Sequence, residues 1–164
     1  MTHSQHQDIR FLLDRIDIQD VIARYSLGQD SHQGEDGNIL EQWDKTFSLD
    51  AQVDYSAAGG TVGSYRELAR WMRGDANTPG SMGAFSHWQH MLGLPNVSIT
   101  GDTASARTDF YATHRSRNGD APPVHFNAAG AFVDELIRTG DGWRIRHRRL
   151  VLYFADPLQI AVQV

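Results

Sequence analysis

The hydrophobic pattern of the chain changes period near residue 84, and this change limits the folds that the sequence can adopt. Before it, apolar residues recur at helical spacing, as in Ile18, Val21, Ile22 and Tyr25. After it, apolar and polar residues alternate, which predicts strands. The predicted strands are residues 85–92, 96–100, 104–115, 125–138 and 142–154. Helices followed by a meander of long strands predict an α+β domain, with helices packed on a mostly antiparallel sheet.

The first half of the chain predicts three helices and one short strand. Asp17 is the expected N-cap of the first helix. Ser64 and Glu67 form a capping-box pattern, which predicts the start of the third helix. The expected elements are a helix at 18–29, a helix at 39–47, a strand at 51–55, a helix after 64 and a loop at 74–83.

Length and charge exclude several classes of protein. The chain has 164 residues and no repeat or linker, so we expect one domain over residues 1–164. Its formal net charge of -5 makes nucleic acid an unexpected partner. The basic cluster at residues 144–149 interleaves with Trp143 and Ile145, and we interpret it as the solvated face of a strand.

The absence of cysteine excludes disulfides and thiolate chemistry, as is common in a reducing compartment. The first eight residues are polar, and no apolar run approaches the 18 or so residues of a membrane-spanning helix. The sequence therefore predicts a soluble, cytoplasmic protein with no membrane partner.

The end of the first helix has polar residues where its apolar stripe should continue. Tyr25, Gln29 and Asp30 occupy this last part of the helix. At 3.6 residues per turn, Asp30 lies roughly 120 degrees from Ile18, and Gln29 lies nearer to the stripe. Periodicity does not explain these polar groups, and helical spacing alone puts Gln29, not Asp30, on the inner face.

Two histidines fall on the apolar faces of predicted strands. His90 shares a face with Trp88 and Leu92, while His87 points to the opposite side. By the same alternation, His114 lies on the apolar side of its own strand. A histidine on an apolar face is either a catalytic group or a core residue satisfied by one hydrogen bond, and both interpretations stay open.

Metal and cofactor motifs are missing from the sequence. His87 and His90 face opposite ways on a strand, so they cannot bind one ion together, and no metal site is expected. No glycine-rich nucleotide-binding motif and no serine nucleophile motif occurs, so we expect no cofactor.

Four segments in this order resemble the SnoaL-like branch of the nuclear transport factor 2 superfamily, which includes scytalone dehydratase, bile acid 7α-dehydratase and a lindane dehydrochlorinase. The segments are residues 18–30, 43–55, 87–106 and 133–150. The resemblance implies a cone-shaped α+β barrel, with a curved sheet rolled around a helix and a cavity at its open end. It also implies a homodimer or a higher homo-oligomer.

The resemblance assigns roles to five polar residues. His90 matches the catalytic histidine of the branch, and Asp30 matches its carboxylate partner, which would have to turn inward from the helix. Tyr55 matches a pocket tyrosine, Tyr25 is placed to act in the same way, and His114 lies near the second histidine. The alternative for both tyrosines is an ordinary buried aromatic residue with a paired hydroxyl.

The resemblance also suggests an apolar wall and a reaction. Scytalone dehydratase carries a serine and an asparagine where this chain has Gly130 and Phe132, with Asn127 upstream, so the reaction stays open. We expect a cofactor-independent dehydratase acting on a hydrophobic cyclic small molecule; the alternatives are an isomerase, an aldol-type cyclase, a dehydrohalogenase or a non-catalytic binding protein. The candidate substrate-binding residues are Asn127 and the five wall aromatics Trp43, Trp71, Trp88, Phe110 and Phe132. The alternative for the helical aromatics is ordinary core packing.

Overall fold

The computed structural model describes residues 3–33, 38–117 and 124–156. The helices in these ranges are α1 His3–Ser31, α2 Leu40–Trp43 and α3 Tyr65–Arg73. The strands are β1 Phe47–Asp54, β2 Val62–Ser64, β3 Gly74–Asp75, β4 Thr78–Pro79, β5 Phe85–Leu92, β6 Asn96–Thr100, β7 Thr103–Ser116, β8 His125–Thr139 and β9 Gly142–Ala155. Short 3-10 turns lie at Ser56–Ala58 and Ser81–Ala84.

One curved sheet forms the body of the described chain. Its strand order is β2-β1-β9-β8-β7-β5, and β6 pairs with β7 beside β5. Only the β1–β9 pair is parallel among the pairings of this sheet in the described ranges. The α+β class and the mixed, mostly antiparallel cone-like sheet are therefore confirmed. Within the described ranges the sheet does not close on itself, and β5 lies at one end of it.

The five long strands lie close to their predicted positions. The burial of β7 alternates strictly along most of its length, with even-numbered residues inside. The capping box at the start of α3 is also confirmed, because the Ser64 hydroxyl accepts from the Glu67 N–H and the Glu67 carboxylate accepts from the Ser64 N–H. The predicted loop at 74–83 contains the short β3–β4 hairpin.

Helix α1 begins much earlier than predicted, so Asp17 is not its N-cap. No glycine or proline interrupts the chain from residue 3 to residue 27. The early part of the helix is held by the carboxylate of Asp14, which accepts from both terminal nitrogens of Arg138 at 2.6 Å and from Trp143 Nε1 at 3.1 Å. These bonds to Arg138 lower the pKa of Asp14, and they fix α1 against the sheet.

The second helix is shorter than predicted and stops at Trp43. Phe47 was expected at its end but begins β1, where it is paired with Ile145 of β9. The Phe47 ring is buried and stacks on the ring of Tyr65, with 5.1 Å between the two centroids. Strand pairing and ring packing therefore override the helical spacing of this segment.

The basic cluster is not a single solvated face, because Arg148 is fully buried. Glu135 pairs with His147 and Leu136 pairs with Ile145, so Arg146 is an extra residue in β9. This β-bulge reverses the alternation, and Arg148 faces the core instead of solvent. There Arg148 forms a bidentate ion pair with Asp134 of β8.

Candidate active site

A cavity of about 430 Å³ lies between the helices and the inner face of the sheet. Helices α1 and α3 close one side of it, and strands β5, β7, β8 and β9 form the other. The residues that line it are Tyr25, Gln29, Tyr55, Ala57, Ala58, Trp71, Met72, Ser81, Met82, Phe85, His90, Phe110, Ala112, His114, Phe126, Ala128, Phe132, Leu150, Leu152 and Ala155. Their side chains include no lysine, arginine, aspartate or glutamate.

Small side chains next to His90 leave room for the cavity. His90 of β5 pairs with Ala112 of β7, which pairs with Ala128 of β8, so the two positions that follow the imidazole across the sheet carry only methyl groups. Gly130 has a different role, because a Cβ there would collide with the Val151 carbonyl oxygen and the Phe110 ring. Gly130 thus permits close packing at the cavity wall.

Asp30 and His90 are joined by two hydrogen bonds. Asp30 Oδ1 lies 2.8 Å from His90 Nδ1, and Asp30 Oδ2 accepts from the His90 backbone N–H at 2.8 Å. One carboxylate therefore holds both the backbone and the ring of the same residue. With Nδ1–H donating to Asp30, the ring Nε2 is left as the basic nitrogen.

The two members of this pair lie on different sides of the wall. His90 lines the cavity, whereas Asp30 lies behind it, in a cleft on the outer side of the sheet. The expected inward turn of Asp30 does not occur, because the edge of β5 runs alongside the end of α1. Gln29, the residue favoured by helical spacing, is the one that lines the cavity.

His114 lies beside His90 on the cavity wall. The two rings are 5.7 Å apart between centroids and nearly perpendicular. His114 Nδ1 lies 3.3 Å from the Phe126 carbonyl oxygen. Burial first, and then the nearby His90, lower the pKa of His114 to about 4, so the ring is uncharged at neutral pH.

This burial predicts that acid weakens the fold through His114. Between the ordinary histidine pKa of 6.5 and the folded value of about 4, the unfolded chain binds a proton that the folded protein does not. Stability should therefore fall with falling pH, by about 3 kcal/mol for this group across that window. We expect His114→Asn to flatten the dependence of the free energy of unfolding on pH, measured by urea denaturation. Equal slopes in both proteins would contradict the prediction.

Tyr25 and Tyr55 form a hydrogen-bonded pair at another part of the cavity wall. Their hydroxyl oxygens are 2.7 Å apart, with Tyr55 donating to Tyr25. Burial raises the pKa of Tyr25, and raises that of Tyr55 well above its ordinary value. Both phenols therefore stay protonated at neutral pH, and the bond from Tyr55 does not use the Tyr25 proton.

Three of the six expected substrate-binding residues line the cavity: Trp71, Phe110 and Phe132. Trp43, Trp88 and Asn127 do not, so the prediction was wrong for these three. Trp43 lies behind Tyr25, stacked on it at 4.9 Å, and Trp88 Nε1 donates to the Gln29 carbonyl oxygen at 2.8 Å. Asn127 alternates with Phe126 and Ala128, so it points to the outer face of β8.

Several wall residues were not singled out from the sequence. Met72 of α3 is one of them, and its sulfur accepts from Gln29 Nε2 at 2.8 Å. Alternation along β8 was a signal for Phe126, but Met82 lies in a 3-10 turn, and register shifts in β5 and β9 hide the facing of Phe85, Leu150 and Leu152. The register needed to place these residues together is not visible in the sequence. The others are Met82, Phe85, Phe126, Leu150 and Leu152.

Among the described residues, no group of three or more histidines, aspartates or glutamates is arranged to hold a metal ion. Within the same ranges, no helix is both long and apolar enough to cross a membrane.

The described chain is an α+β fold in which helices cover an apolar cavity on a curved sheet, and a carboxylate behind the cavity wall holds the imidazole of His90. Residues 10–149 match the model of the SnoaL-like domain, and the chain belongs to this family. The resemblance found in the sequence is therefore confirmed.

Similar proteins include one relative of closely comparable length and two solved structures. An uncharacterised protein of Mycobacterium tuberculosis is 34% identical over 135 residues, which are 82% of each chain. The hexachlorocyclohexane dehydrochlorinase of Novosphingobium barchaimii is 17% identical, with 96% of this chain and 98% of that chain covered and a TM-score of 0.71. A scytalone dehydratase-like protein of Novosphingobium aromaticivorans is 18% identical, with coverages of 91% and 90% and a TM-score of 0.68. These two structures establish the shared fold.

Proposed function

We propose that this protein is a cofactor-independent carbon–oxygen lyase, a dehydratase that acts on a neutral, hydrophobic cyclic small molecule. The observation that supports the proposal is the double contact of Asp30 with His90 at the wall of an apolar cavity. An imidazole oriented by a carboxylate, with its other nitrogen on the cavity side, is the arrangement of a general base.

The lining of the cavity supports the choice of a neutral ligand. Among the residues that the structure describes, the lining side chains carry no formal charge apart from any proton on a histidine, and His114 is uncharged at neutral pH. A ligand carboxylate or ammonium group would lose its hydration without gaining an ionic partner. Phe85, Phe110, Phe126 and Phe132 supply flat apolar surfaces, which suit a ring compound.

In the proposed reaction, His90 Nε2 removes a proton from the carbon next to a carbonyl group of the substrate. The electron pair of that C–H bond forms an enolate, and Asp30 stabilises the imidazolium. The enolate then forms the C=C bond as the C–O bond to the hydroxyl group breaks, and His90 returns the proton to the departing oxygen. The products are the unsaturated carbonyl compound and one water molecule, so no external acid, base or oxidant is consumed.

The tyrosine pair is proposed to bind the carbonyl oxygen. The Tyr25 hydroxyl accepts from Tyr55 at 2.7 Å and keeps its own proton for the substrate. A hydrogen bond to the oxygen strengthens as negative charge develops on it, which stabilises the enolate more than the ground state. His114 is placed beside His90 to contact the departing hydroxyl.

Related reactions begin with the same step. The similar structures include a protein named for dehydration and one named for dehydrochlorination. An isomerase, an aldol-type cyclase and a dehydrohalogenase would also use a base to remove a proton next to an activating group. An assay must therefore distinguish the steps that follow proton removal: loss of water, rearrangement, ring closure or loss of halide.

An exchange assay with a panel of ring compounds tests the proposal. Cyclic β-hydroxy ketones and simple cyclic ketones are incubated with the protein in D₂O, and mass spectrometry follows deuterium uptake and loss of water. Quenching of tryptophan fluorescence reports binding, with Trp71→Phe as the control, because Trp71 lines the cavity.

The proposal expects loss of water from at least one bound hydroxy ketone. Deuterium uptake or rearrangement without loss of water would contradict the dehydratase and indicate an isomerase that uses His90 as its base. Compounds that bind but show neither change would overturn catalysis and favour a binding protein.

A further inference from the structure

Strand β5, which carries His90, has an edge that is covered by side chains instead of another strand. In the described part of the chain, β5 pairs with β7 on one side, and the end of α1 lies along its other side. The Gln33 side chain accepts from the Trp88 N–H at 2.9 Å and donates to the Trp88 carbonyl oxygen at 2.7 Å. Its amide thus replaces one residue of a neighbouring strand.

The same amide is tied to the residue that holds His90. Gln33 Nε2 also lies 2.8 Å from the backbone carbonyl oxygen of Asp30. Gln33 therefore connects the backbone of α1 at Asp30 with the backbone of β5 at Trp88, two residues before His90. The next backbone N–H of β5 that points away from β7 belongs to His90, and it donates to Asp30 Oδ2.

We infer that Gln33 is a positioning residue that sets the register between the end of α1 and β5, and thereby holds Asp30 on His90. This inference rests on the proposed function for its catalytic meaning, while the positioning itself is a property of the free protein. Gln33 lines the outer cleft with Asp30 and does not line the cavity, so it acts through the pair.

The geometry explains why such a residue is needed. Both Asp30–His90 contacts are 2.8 Å long and point along the same helix-to-strand direction. A displacement of about 1 Å that moves α1 away from β5 in this direction would lengthen both contacts together to about 3.8 Å, beyond the usual hydrogen-bond range. The Asp30 side chain is 24% exposed, so water can compete for its oxygens once the register loosens.

Loss of Gln33 should loosen this contact without unfolding the region. Trp88 stays anchored through its Nε1 bond to the Gln29 carbonyl oxygen, and the Arg73 guanidinium lies 4.4 Å from its ring. Gln33→Ala removes all three amide bonds, and Gln33→Met is a second variant of nearly the same size. Gln89→Ala is the matched control, because Gln89 lies on β5 with an exposed side chain.

Nuclear magnetic resonance of the free, ¹⁵N-labelled protein tests the positioning directly. We expect the His90 Nδ1 resonance and the hydrogen exchange of the His90 backbone N–H to change in both Gln33 variants, in the direction seen in Asp30→Asn. Gln89→Ala should match the wild type. If both Gln33 variants fold and keep the wild-type His90 signals while Asp30→Asn changes them, the inference is overturned, whatever the activity.

Turnover provides the second readout once a substrate is known. We expect kcat to fall by up to about 100-fold in the Gln33 variants, with KM little changed, because the base is misplaced while the cavity wall is intact. A loss confined to KM would contradict positioning. The NMR result stands without turnover, so failure of the proposed function and failure of this inference can be told apart.

Discussion

Arg148→Met is expected to lower the free energy of unfolding by about 3–5 kcal/mol, because it leaves the Asp134 carboxylate buried without its partner. Arg148 Nε and Nη2 donate to the two Asp134 oxygens at 2.7 Å each, and both side chains are inaccessible to solvent. Burial alone would lower the pKa of Arg148, but the Asp134 carboxylate outweighs it and raises the pKa, so the guanidinium stays charged. Because the free energy of unfolding of natural domains is only about 5–15 kcal/mol, this loss is a large fraction of the total.

The surroundings of Arg148 add to this cost. Its guanidinium carbon lies 4.2 Å from the Tyr25 ring centroid and 4.4 Å from that of Phe132, so it packs between two residues of the cavity wall. A planar cation stacks on such rings in a way that lysine does not. We therefore expect Arg148→Lys to be destabilising as well, although less than Arg148→Met.

Urea denaturation of a double-mutant cycle measures the effect. Asp134→Leu alone should also be strongly destabilising, because it leaves the Arg148 charge unpaired. The double variant, Asp134→Leu with Arg148→Met, should be much more stable than the sum of the single losses implies, since neither charge is then buried alone. A loss below about 1 kcal/mol in each single variant, or simple additivity, would contradict this explanation.

Alternation along the strands predicted which side chains face the cavity. In β5, His90 and Trp88 are on the inner side and His87 is exposed, and in β7, His114 is inside. This succeeded because β5 and β7 keep a regular pleat over these positions. Alternation, however, predicts only the face of the sheet on which a side chain lies. It could not show that Trp88 contacts the end of α1 while His90 lines the cavity.

The contact between Asp30 and His90 could not be obtained from periodicity. Helical spacing correctly placed Gln29 nearer to the cavity, and it left Asp30 on the flank of the helix. On this flank the edge of β5 lies next to α1, so the Asp30 carboxylate can bond both the backbone N–H and the ring of His90. Such a contact depends on the placement of a strand 60 residues away, so only the family resemblance pointed to it.

The burial of Arg148 was missed because of a single extra residue. The bulge at Arg146 shifts the alternation of β9, and an isolated sequence does not mark such a bulge. A signal was present on the partner strand, since Asp134 has the same parity as Phe132 and Leu136. A carboxylate on an apolar face requires a cation or a donor, and this requirement predicts a buried basic partner.

The proposed chemistry predicts that His90→Ala and Asp30→Asn each lower kcat for the substrate by about 10²- to 10⁴-fold. His90→Ala removes the base itself. Asp30→Asn keeps the size of the side chain but removes the charge that stabilises the imidazolium, and its amide can no longer serve both His90 contacts as an acceptor. Initial rates over a range of substrate concentrations and pH values measure both effects.

Two matched variants separate loss of catalysis from general damage. His87→Ala changes an exposed histidine on the outer face of β5, and Asp20→Asn changes an exposed aspartate on α1, so both should keep wild-type rates. Ligand affinity, followed by tryptophan quenching, should change little in His90→Ala and Asp30→Asn, because the aromatic wall is intact. Because a binding protein has no transition state to stabilise, it could lose only affinity in these variants. Folded His90→Ala and Asp30→Asn proteins that convert the substrate at the wild-type rate would remove the pair from the mechanism.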